Sequence, residues 1–296
     1  VTLAPVLPNA SFVYNQSELL YNDVVVTVSD DPNVNGAADP EVADSDRGYY
    51  EFHELVALKT WVESYGLKLG SIGAFQGHWD WAYKWMLGLP GRDEQIEHMS
   101  TTIRNMGAAG IPILGYHWIP NSVWRTSRTT PGRGGVKVTS FDMELAKNAP
   151  LTHGRVYSAD EMWANYEYYI NAVLPVAEEA GVKLALHPDD PPVESLGGIA
   201  RIMSSFEGFK RAMDIGDSPN HGLDFCHGCW AEMGPGALDA VRYFCERGKI
   251  LYMHFRDVQG TVPCFQECFI DEGNNDMFEV VKTLKEVGFT GFLIPD

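Results

Sequence analysis

KLALHPDDPP, at Lys183–Pro192, is the stretch that indicates the fold most clearly. Its apolar run Leu184–Leu186 follows a helix-like segment and stops at His187, and prolines follow at once. A short apolar run of this kind is typical of a buried parallel strand. His187 would then lie at the carboxyl end of the strand, where α/β folds place their chemistry. Because proline fixes φ and lacks an N–H, the loop after His187 is predicted to be held rigidly.

Seven other segments have a similar apolar or β-branched character and are predicted as strands. They are Val1–Leu7, Asp23–Val28, Leu67–Phe75, Ile111–Trp118, Gly222–Cys226, Ile250–Arg256 and Phe292–Pro295. Helical spacing and caps predict the helices Phe12–Tyr21, Glu51–Tyr65, Asp93–Met106, Ser158–Ala180, Gly197–Ile215, Ala237–Arg247 and Asn275–Val287. Eight strands that alternate with helices favour an α/β fold of the closed (β/α)8 TIM-barrel type, with the eighth helix missing from the sequence.

Length and composition fit one domain. A TIM barrel takes roughly 250 residues, and this chain has 296, of which 45% are hydrophobic. We predict a single TIM-barrel domain over 1–296, with a long loop at about 30–47 and an insert at about 121–151. Ordered inserts of that length are usually functional or part of an interface, so a homo-oligomer stays open.

Charge and cysteine content restrict the partners. A net charge of −18 disfavours nucleic acid and anionic membranes, both of which need a basic face. No apolar run approaches the roughly 18 residues of a membrane span, and the start lacks the pattern of a signal peptide. Five cysteines, an odd number, favour a reducing, cytoplasmic location. A small-molecule substrate is therefore expected.

Four potential metal ligands follow successive predicted strands: His187, Cys226, His254 and Asp296. The carboxyl ends of barrel strands converge on one face, so these side chains could share one ion. Imidazole, thiolate and carboxylate suit Mn²⁺, Fe²⁺, Co²⁺ or Zn²⁺ better than Ca²⁺ or Mg²⁺. A competing zinc-ribbon interpretation uses Cys226-x-x-Cys229 and Cys264-x-x-x-Cys268, but no small-domain boundary surrounds those pairs.

A substrate-binding group is predicted beside these ligands. Arg256 lies two residues after His254, on the same side of its predicted strand, and could bind a carboxylate bidentately. Trp124 and Arg125, near the start of the insert, are predicted to bind the substrate together with Arg256. No G-x-G-x-x-G follows the first strand, which counts against a dinucleotide site.

Several motifs carry a family resemblance. They are LHPDDPP at 186–192, TIRNMGAAGIPILGYHWIP at 102–120, GLDFCHG at 222–228, MHFRDV at 253–258 and the closing Pro295–Asp296. Together they resemble the mannonate dehydratase family, which has a xylose-isomerase-like barrel. The resemblance implies conversion of D-mannonate to 2-keto-3-deoxy-D-gluconate with a divalent metal, typically Mn²⁺. By position it also implies the same four metal ligands.

The chain departs from the family pattern at several positions. The family continues with a histidine directly after the closing aspartate and a tyrosine further on, both credited with proton transfer, whereas this sequence ends at Asp296. Gly73 stands in place of a glutamate, His117 in place of an asparagine and Ile270 in place of a histidine. These departures leave two alternatives open: a metal-dependent sugar isomerase or epimerase, and a non-catalytic sugar-acid-binding relative.

The interpretation preferred on these grounds is a metal-dependent hydro-lyase acting on a sugar acid. Removing the proton α to a carboxylate builds charge that a metal and Arg256 could stabilise. A general acid must then protonate the leaving hydroxyl group. The candidates for proton transfer in the sequence are His78, Tyr116 and His117.

Overall fold

A computed structural model describes residues 47–73 and 83–295, together with the backbone of Val25–Val28. In this part of the chain the strands are β1 (Val25–Val28), β2 (Lys68–Gly73), β3 (Ile113–Tyr116), β4 (Ser127–Pro131), β5 (Lys137–Asp142), β6 (Lys183–Leu186), β7 (Ser195–Leu196), β8 (Ile199–Ala200), β9 (His221–Cys226), β10 (Ile250–His254), β11 (Val258–Thr261), β12 (Cys264–Glu267) and β13 (Leu293–Ile294). The α-helices are α1 (Phe52–Glu63), α2 (Tyr83–Leu87), α3 (Arg92–Ala109), α4 (Met143–Ala146), α5 (Ala159–Ala180), α6 (Phe206–Ile215), α7 (His227–Glu232), α8 (Ala237–Glu246) and α9 (Met277–Glu286).

The main sheet has the order β1-β2-β3-β6-β9-β10-β13, and all its neighbouring strands are parallel. Two strands separate β3 from β10 in the sheet, yet a Cβ added at Gly115 on β3 would lie 2.4 Å from the Tyr252 hydroxyl of β10. The sheet is therefore curled. Long helices connect the strands, as parallel pairing requires. The architecture confirms the predicted α/β barrel class. The predicted strand Val1–Leu7 and helix Phe12–Tyr21 lie outside the described residues, as does most of the predicted loop.

Two cores follow from the alternation of side chains along each strand. The larger one lies between the sheet and its helices and includes Leu184 and Leu186 of β6. The smaller one fills the barrel interior and includes Ala185 and Tyr252. Residue 187, next in the alternation after Ala185, is therefore directed towards the barrel interior.

Helix α5, which leads into β6, begins and ends as its sequence predicts. The Ser158 hydroxyl accepts a hydrogen bond from the Glu161 N–H, and the Glu161 carboxylate accepts one from the Ser158 N–H, which forms a capping box. Gly181 ends the helix at φ 69°, a conformation that glycine adopts without steric cost. Among the described residues, no helix combines the length and apolar character needed to cross a bilayer.

The predicted helix Gly197–Ile215 is wrong over its first half. Gly197 and Gly198 have φ values of 55° and 85° and form the turn between β7 and β8. The helix begins only after Ser205, whose hydroxyl accepts a hydrogen bond from the Gly208 N–H. A pair of glycines with positive φ favours a tight hairpin over a helix.

The insert at about 121–151 forms part of a second sheet. Strands β4 and β5 pair as a hairpin, β5 pairs with β12, and β12 pairs with β11, all antiparallel. Phe141 and Phe265 form part of its small buried core. Since β11 and β12 follow directly after the barrel strand β10, this sheet stands beside the carboxyl ends of the barrel strands.

Helix α3 runs three residues further than predicted and so includes Gly107. A Gly107→Ala variant is expected to lower the free energy of unfolding by about 1–3 kcal/mol, because overpacking at a tight helix contact outweighs the gain in helix propensity of roughly 1 kcal/mol. The added Cβ would lie 2.4 Å from the Ala180 carbonyl oxygen of α5. Urea denaturation measures the change, with the exposed Ala108→Gly as a propensity control in the same helix. An increase in stability would contradict the expectation.

Candidate metal centre

Three of the four predicted ligands meet at the carboxyl ends of adjacent strands. His187 follows β6, Cys226 ends β9 and His254 ends β10, and Cys226 and His254 are register partners. Their ligand atoms all lie within 4.8 Å of one another. Cys226 is fully buried and the two histidines are partly exposed. The fourth predicted ligand, Asp296, and the predicted proton donor His78 lie outside the described residues.

The donor set fits a divalent cation. The Nδ1 of His187 is 2.8 Å from the Pro188 carbonyl oxygen and donates to it, so Nε2 is the nitrogen left to coordinate. Burial lowers the pKa of His187, but the hydrogen bond with Cys226 and the charge of Asp224 outweigh it and raise the pKa to about 9. Positive charge, as a proton or a metal cation, is thus favoured at this position.

Asp224 is a residue of this centre that the sequence analysis did not identify. It is buried, and its Oδ2 lies 3.2 Å from the Nε2 of His254. Burial raises the pKa of its carboxyl to about 6, against the effect of His254 and His187. The signal was available in the sequence: Asp224 lies two residues before Cys226 and therefore shares its face of β9.

His117 follows β3 and lies beside this centre. It is buried, and its Nδ1 accepts a hydrogen bond of 3.3 Å from the Ile119 N–H. Burial, then the positive charges of His187 and Arg201, lower the pKa of His117 to about 3. The imidazole is consequently neutral at pH 7 and can offer only the proton on Nε2.

Tyr116 points to the opposite face of β3, away from the barrel interior. Its hydroxyl lies 2.7 Å from the Nε2 of His221 and 3.2 Å from the Tyr166 hydroxyl, among the residues of the larger core. Burial raises its pKa well above the usual value of about 10. Neighbouring residues of a strand cannot both face the interior, so the position of Tyr116 does not support its predicted part in proton transfer.

Acidification is expected to destabilise the protein partly through His221. Burial lowers the pKa of His221 to about 4, whereas the unfolded chain titrates near 6.5. Stability from this group is complete above pH 6.5 and is lost as the pH falls towards 4, by about 2 kcal/mol between pH 7 and 5. Comparing unfolding of the parent and His221→Gln at both pH values isolates this loss, since Asp224 titrates in both proteins. Equal pH dependence in the two proteins would contradict it.

Arg256 and Arg125 belong to a buried ionic network rather than to an open substrate clamp. Arg256 donates to Glu232, Glu267 and Asp190 at 3.0–3.1 Å. Arg125 pairs with both oxygens of Asp190 and lies 2.7 Å from Glu267. The strand β10 ends at His254, so the prediction that Arg256 lies on this strand is wrong. Binding a substrate carboxylate at either arginine would require breaking these pairs.

The network also explains a second cluster of potential ligands. Asp190, Cys229 and Glu232 are buried with ligand atoms within 4.8 Å of one another. All three accept hydrogen bonds from Arg256, including one of 3.3 Å to the Cys229 Sγ. The guanidinium is the cation of this cluster. Neither cluster found in the described residues contains Cys264 or Cys268, which disfavours the zinc-ribbon interpretation.

The loop after His187 is fixed by its two aspartates. Asp189 accepts a hydrogen bond of 2.7 Å from the Met203 N–H and lies 3.6 Å from Arg201. Asp190 holds Arg125 at the start of the second sheet, and its carbonyl oxygen lies 3.4 Å from the N–H of Trp124. The indole of Trp124 donates to the Asn121 carbonyl oxygen at 2.8 Å. The loop therefore joins the centre to the second sheet, and the predicted substrate contact of Trp124 stays a prediction.

The sequence matches one protein family over nearly its whole length. The sequence model of the D-mannonate dehydratase (UxuA) family matches residues 22–154 and 145–296. The mannonate dehydratase of Streptococcus pneumoniae (strain 70585) is 34% identical over 275 residues, which cover 83% of this chain and 74% of that protein. That of Halalkalibacterium halodurans is 31% identical over 278 residues, covering 84% and 79%.

Solved structures agree with the sequence matches. The crystal structure of mannonate dehydratase from Streptococcus suis serotype 2 superposes with a TM-score of 0.77 at 32% identity, covering 93% of this chain and 82% of that one. A xylose isomerase domain protein from Planctomyces limnophilus superposes with a TM-score of 0.56 at 15% identity, covering 92% and 86%. The second likeness shows the barrel fold alone.

Proposed function

The chain belongs to the D-mannonate dehydratase family, and on that premise we propose that it converts D-mannonate, or a close aldonate, to the 2-keto-3-deoxy acid with Mn²⁺ as its metal. It is a lyase that removes water from a sugar acid. The observation that carries the metal proposal is the convergence of His187, Cys226 and His254 within 4.8 Å. Asp296 is proposed as the fourth ligand from the family motif.

The chemistry sets the tasks of the site. The proton α to the carboxylate must be removed, and the hydroxyl on the next carbon must leave with a proton. The bound cation would supply stabilisation of the negative charge that develops on the carboxylate oxygens. His187, Cys226 and His254 would hold that cation, and the loop from His187 to Asp190 fixes their surroundings.

The surrounding residues take different parts. The low pKa of His117 keeps its imidazole uncharged. We therefore assign it the role of a neutral hydrogen-bond donor that orients a substrate hydroxyl group. His78 remains the proposed general acid from the sequence. Arg125 and Arg256 are assigned to holding the second sheet at the mouth of the barrel, because their charges are already neutralised by Asp190 and Glu267.

Membership of this family disfavours the alternatives of an isomerase and of a non-catalytic relative. The residue changes that motivated them, at Gly73, His117 and Ile270, leave the three converging donors in place. We place the reaction in the cytoplasm, which is supported by the absence of disulfides among the five cysteines, all of them in the described part of the chain.

The test is an assay of the full chain with Mn²⁺ and a panel of aldonates that differ at single carbon centres. Formation of a 2-keto-3-deoxy acid from D-mannonate, faster than from the other aldonates, is the expected result. Turnover of another aldonate alone would replace the proposed substrate. No 2-keto-3-deoxy product from any aldonate, with metal bound, would overturn the proposal.

A further inference from the structure

The layer of the barrel interior beneath the metal ligands contains an unusual pair of polar residues. Asp224 on β9 and Tyr252 on β10 are register partners, and each lies two residues before a ligand on its own strand. Because side chains alternate along a strand, both point into the barrel on the same side as Cys226 and His254. The interior of a barrel at this depth is normally filled by branched apolar side chains.

Only 4% of the surface of Asp224 is exposed, so its carboxylate needs partners inside the protein. One oxygen lies 3.2 Å from the Nε2 of His254. The side chain of Tyr252, its register partner on β10, counters the effect of burial by lowering the pKa of the carboxyl. A carboxylate in this position fixes the orientation of the imidazole and the nitrogen that it presents to a cation.

The barrel makes room for the Tyr252 hydroxyl through a glycine on the far side. A Cβ at Gly115 would lie 2.4 Å from that oxygen, so any larger residue at 115 would collide with it. The ring of Tyr252 stacks on Phe292 with centroids 5.0 Å apart, which fixes its plane. The stacking thus fixes the ring, and Gly115 leaves space for the hydroxyl at its end.

We propose that Asp224 is a positioning residue for the metal centre, which orients the imidazole of His254, and that Tyr252 in turn orients Asp224. The inference rests on the metal-dependent function proposed above, because it concerns how well the ligands are arranged for an ion. In the sequence, Asp224 and Tyr252 each precede a proposed ligand by two residues and therefore share its face of the strand. A purely structural ion pair would stabilise the fold and leave metal affinity unchanged.

Metal affinity of the metal-free full-length protein tests the proposal. Titration with Mn²⁺ alone should show binding weakened about 10–100-fold in Asp224→Asn, as is typical when the partner of a ligating histidine is removed. Tyr252→Phe should show a smaller loss in the same direction. Asp239→Asn, on the exposed side of α8, is the matched control and should bind as the parent does.

A second measurement separates orientation from ligation. With Co²⁺ as the probe, the thiolate charge-transfer band of Cys226 should persist in Asp224→Asn, while the visible bands shift. Complete loss of binding in Asp224→Asn with unchanged Tyr252→Phe would make Asp224 a ligand and overturn the proposal. Unchanged Mn²⁺ affinity in folded Asp224→Asn would overturn it as well.

The remaining outcomes are also decisive. If Asp224→Asn does not fold, the affinity of Tyr252→Phe decides alone, because that change removes only one hydroxyl group. If the parent binds Mn²⁺ and the variants bind it more weakly, but D-mannonate is not dehydrated, the proposed substrate fails and the inference stands. If the parent binds neither Mn²⁺ nor Co²⁺, both fail.

Discussion

A His187→Ala variant is expected to lose its metal and to fall in kcat/KM by about 10²–10⁴-fold. A cation that stabilises the developing carboxylate charge contributes several kcal/mol, and each 1.36 kcal/mol corresponds to a factor of ten in rate. His187 is one of three donors that converge in the described part of the chain, and its removal leaves Cys226 and His254, with the proposed ligand Asp296, to hold the ion. The metal content of the purified variant and its kcat/KM are measured together.

His53→Ala is the matched control for this experiment. Its imidazole is 74% exposed on α1 and lies 3.0 Å from the carboxylate of Glu51. It should retain the metal content and kcat/KM of the parent. Full metal occupancy and unchanged kcat/KM in His187→Ala would show that the converging donors are not the centre of the reaction. Loss of metal with unchanged kcat/KM would show that the reaction does not need it.

The three converging donors could be predicted from the sequence because a simple geometric rule applies to them. Parallel strands that alternate with helices bring their carboxyl ends to one face, wherever the strands lie in the sequence. Predicting that His187, Cys226 and His254 each lie at or directly after the end of a strand was therefore enough to place them together. The capping box and glycine of α5 were predictable for a similar reason, since both act within one turn of the helix.

The parts that escaped prediction depend on contacts between distant segments or on the phase of a strand. Arg256 is held by Asp190, Glu232 and Glu267, which come from three separate segments without a common local pattern. Tyr116 was chosen because its hydroxyl group can transfer a proton. Gly115 faces the barrel interior, so its neighbour Tyr116 faces the outer side of β3. The direction of Tyr116 follows from that of its partner on β6, but only once the register between β3 and β6 is known.

The ionic network of Arg125 and Arg256 joins the loop after His187, helix α7 and the second sheet. Burial, and then the negative charge of Asp190, raise the pKa of Glu232 well above its usual value, while Arg256 and Arg125 lower it. Two guanidinium groups thus face the three carboxyl groups of Asp190, Glu232 and Glu267. Each positive charge removed leaves carboxyl groups buried without compensation.

An Arg256→Ala variant is accordingly expected to lose about 3–5 kcal/mol of the free energy of unfolding, the usual cost of removing one partner of a buried pair. The loss would exceed that of a cavity alone, because the Glu232 side chain is fully buried and accepts a hydrogen bond from Arg256. Urea denaturation of metal-free protein measures the change without a contribution from metal binding. The exposed Arg104→Ala, which breaks the surface pair with Glu97, should change stability by less than about 0.5 kcal/mol.

A double variant separates charge from packing. Adding Glu232→Gln to Arg256→Ala removes a carboxyl group that has lost its partner, so part of the stability should return if uncompensated charge is the cause. If packing is the cause, because the Arg256 side chain lies directly against Gly228, the second change should give no recovery. Arg256→Lys keeps the charge but not the forked geometry that reaches Glu232 and Asp190 together, and should fall between the parent and Arg256→Ala. Parent-like stability of Arg256→Ala would contradict the assignment of Arg256 to this network.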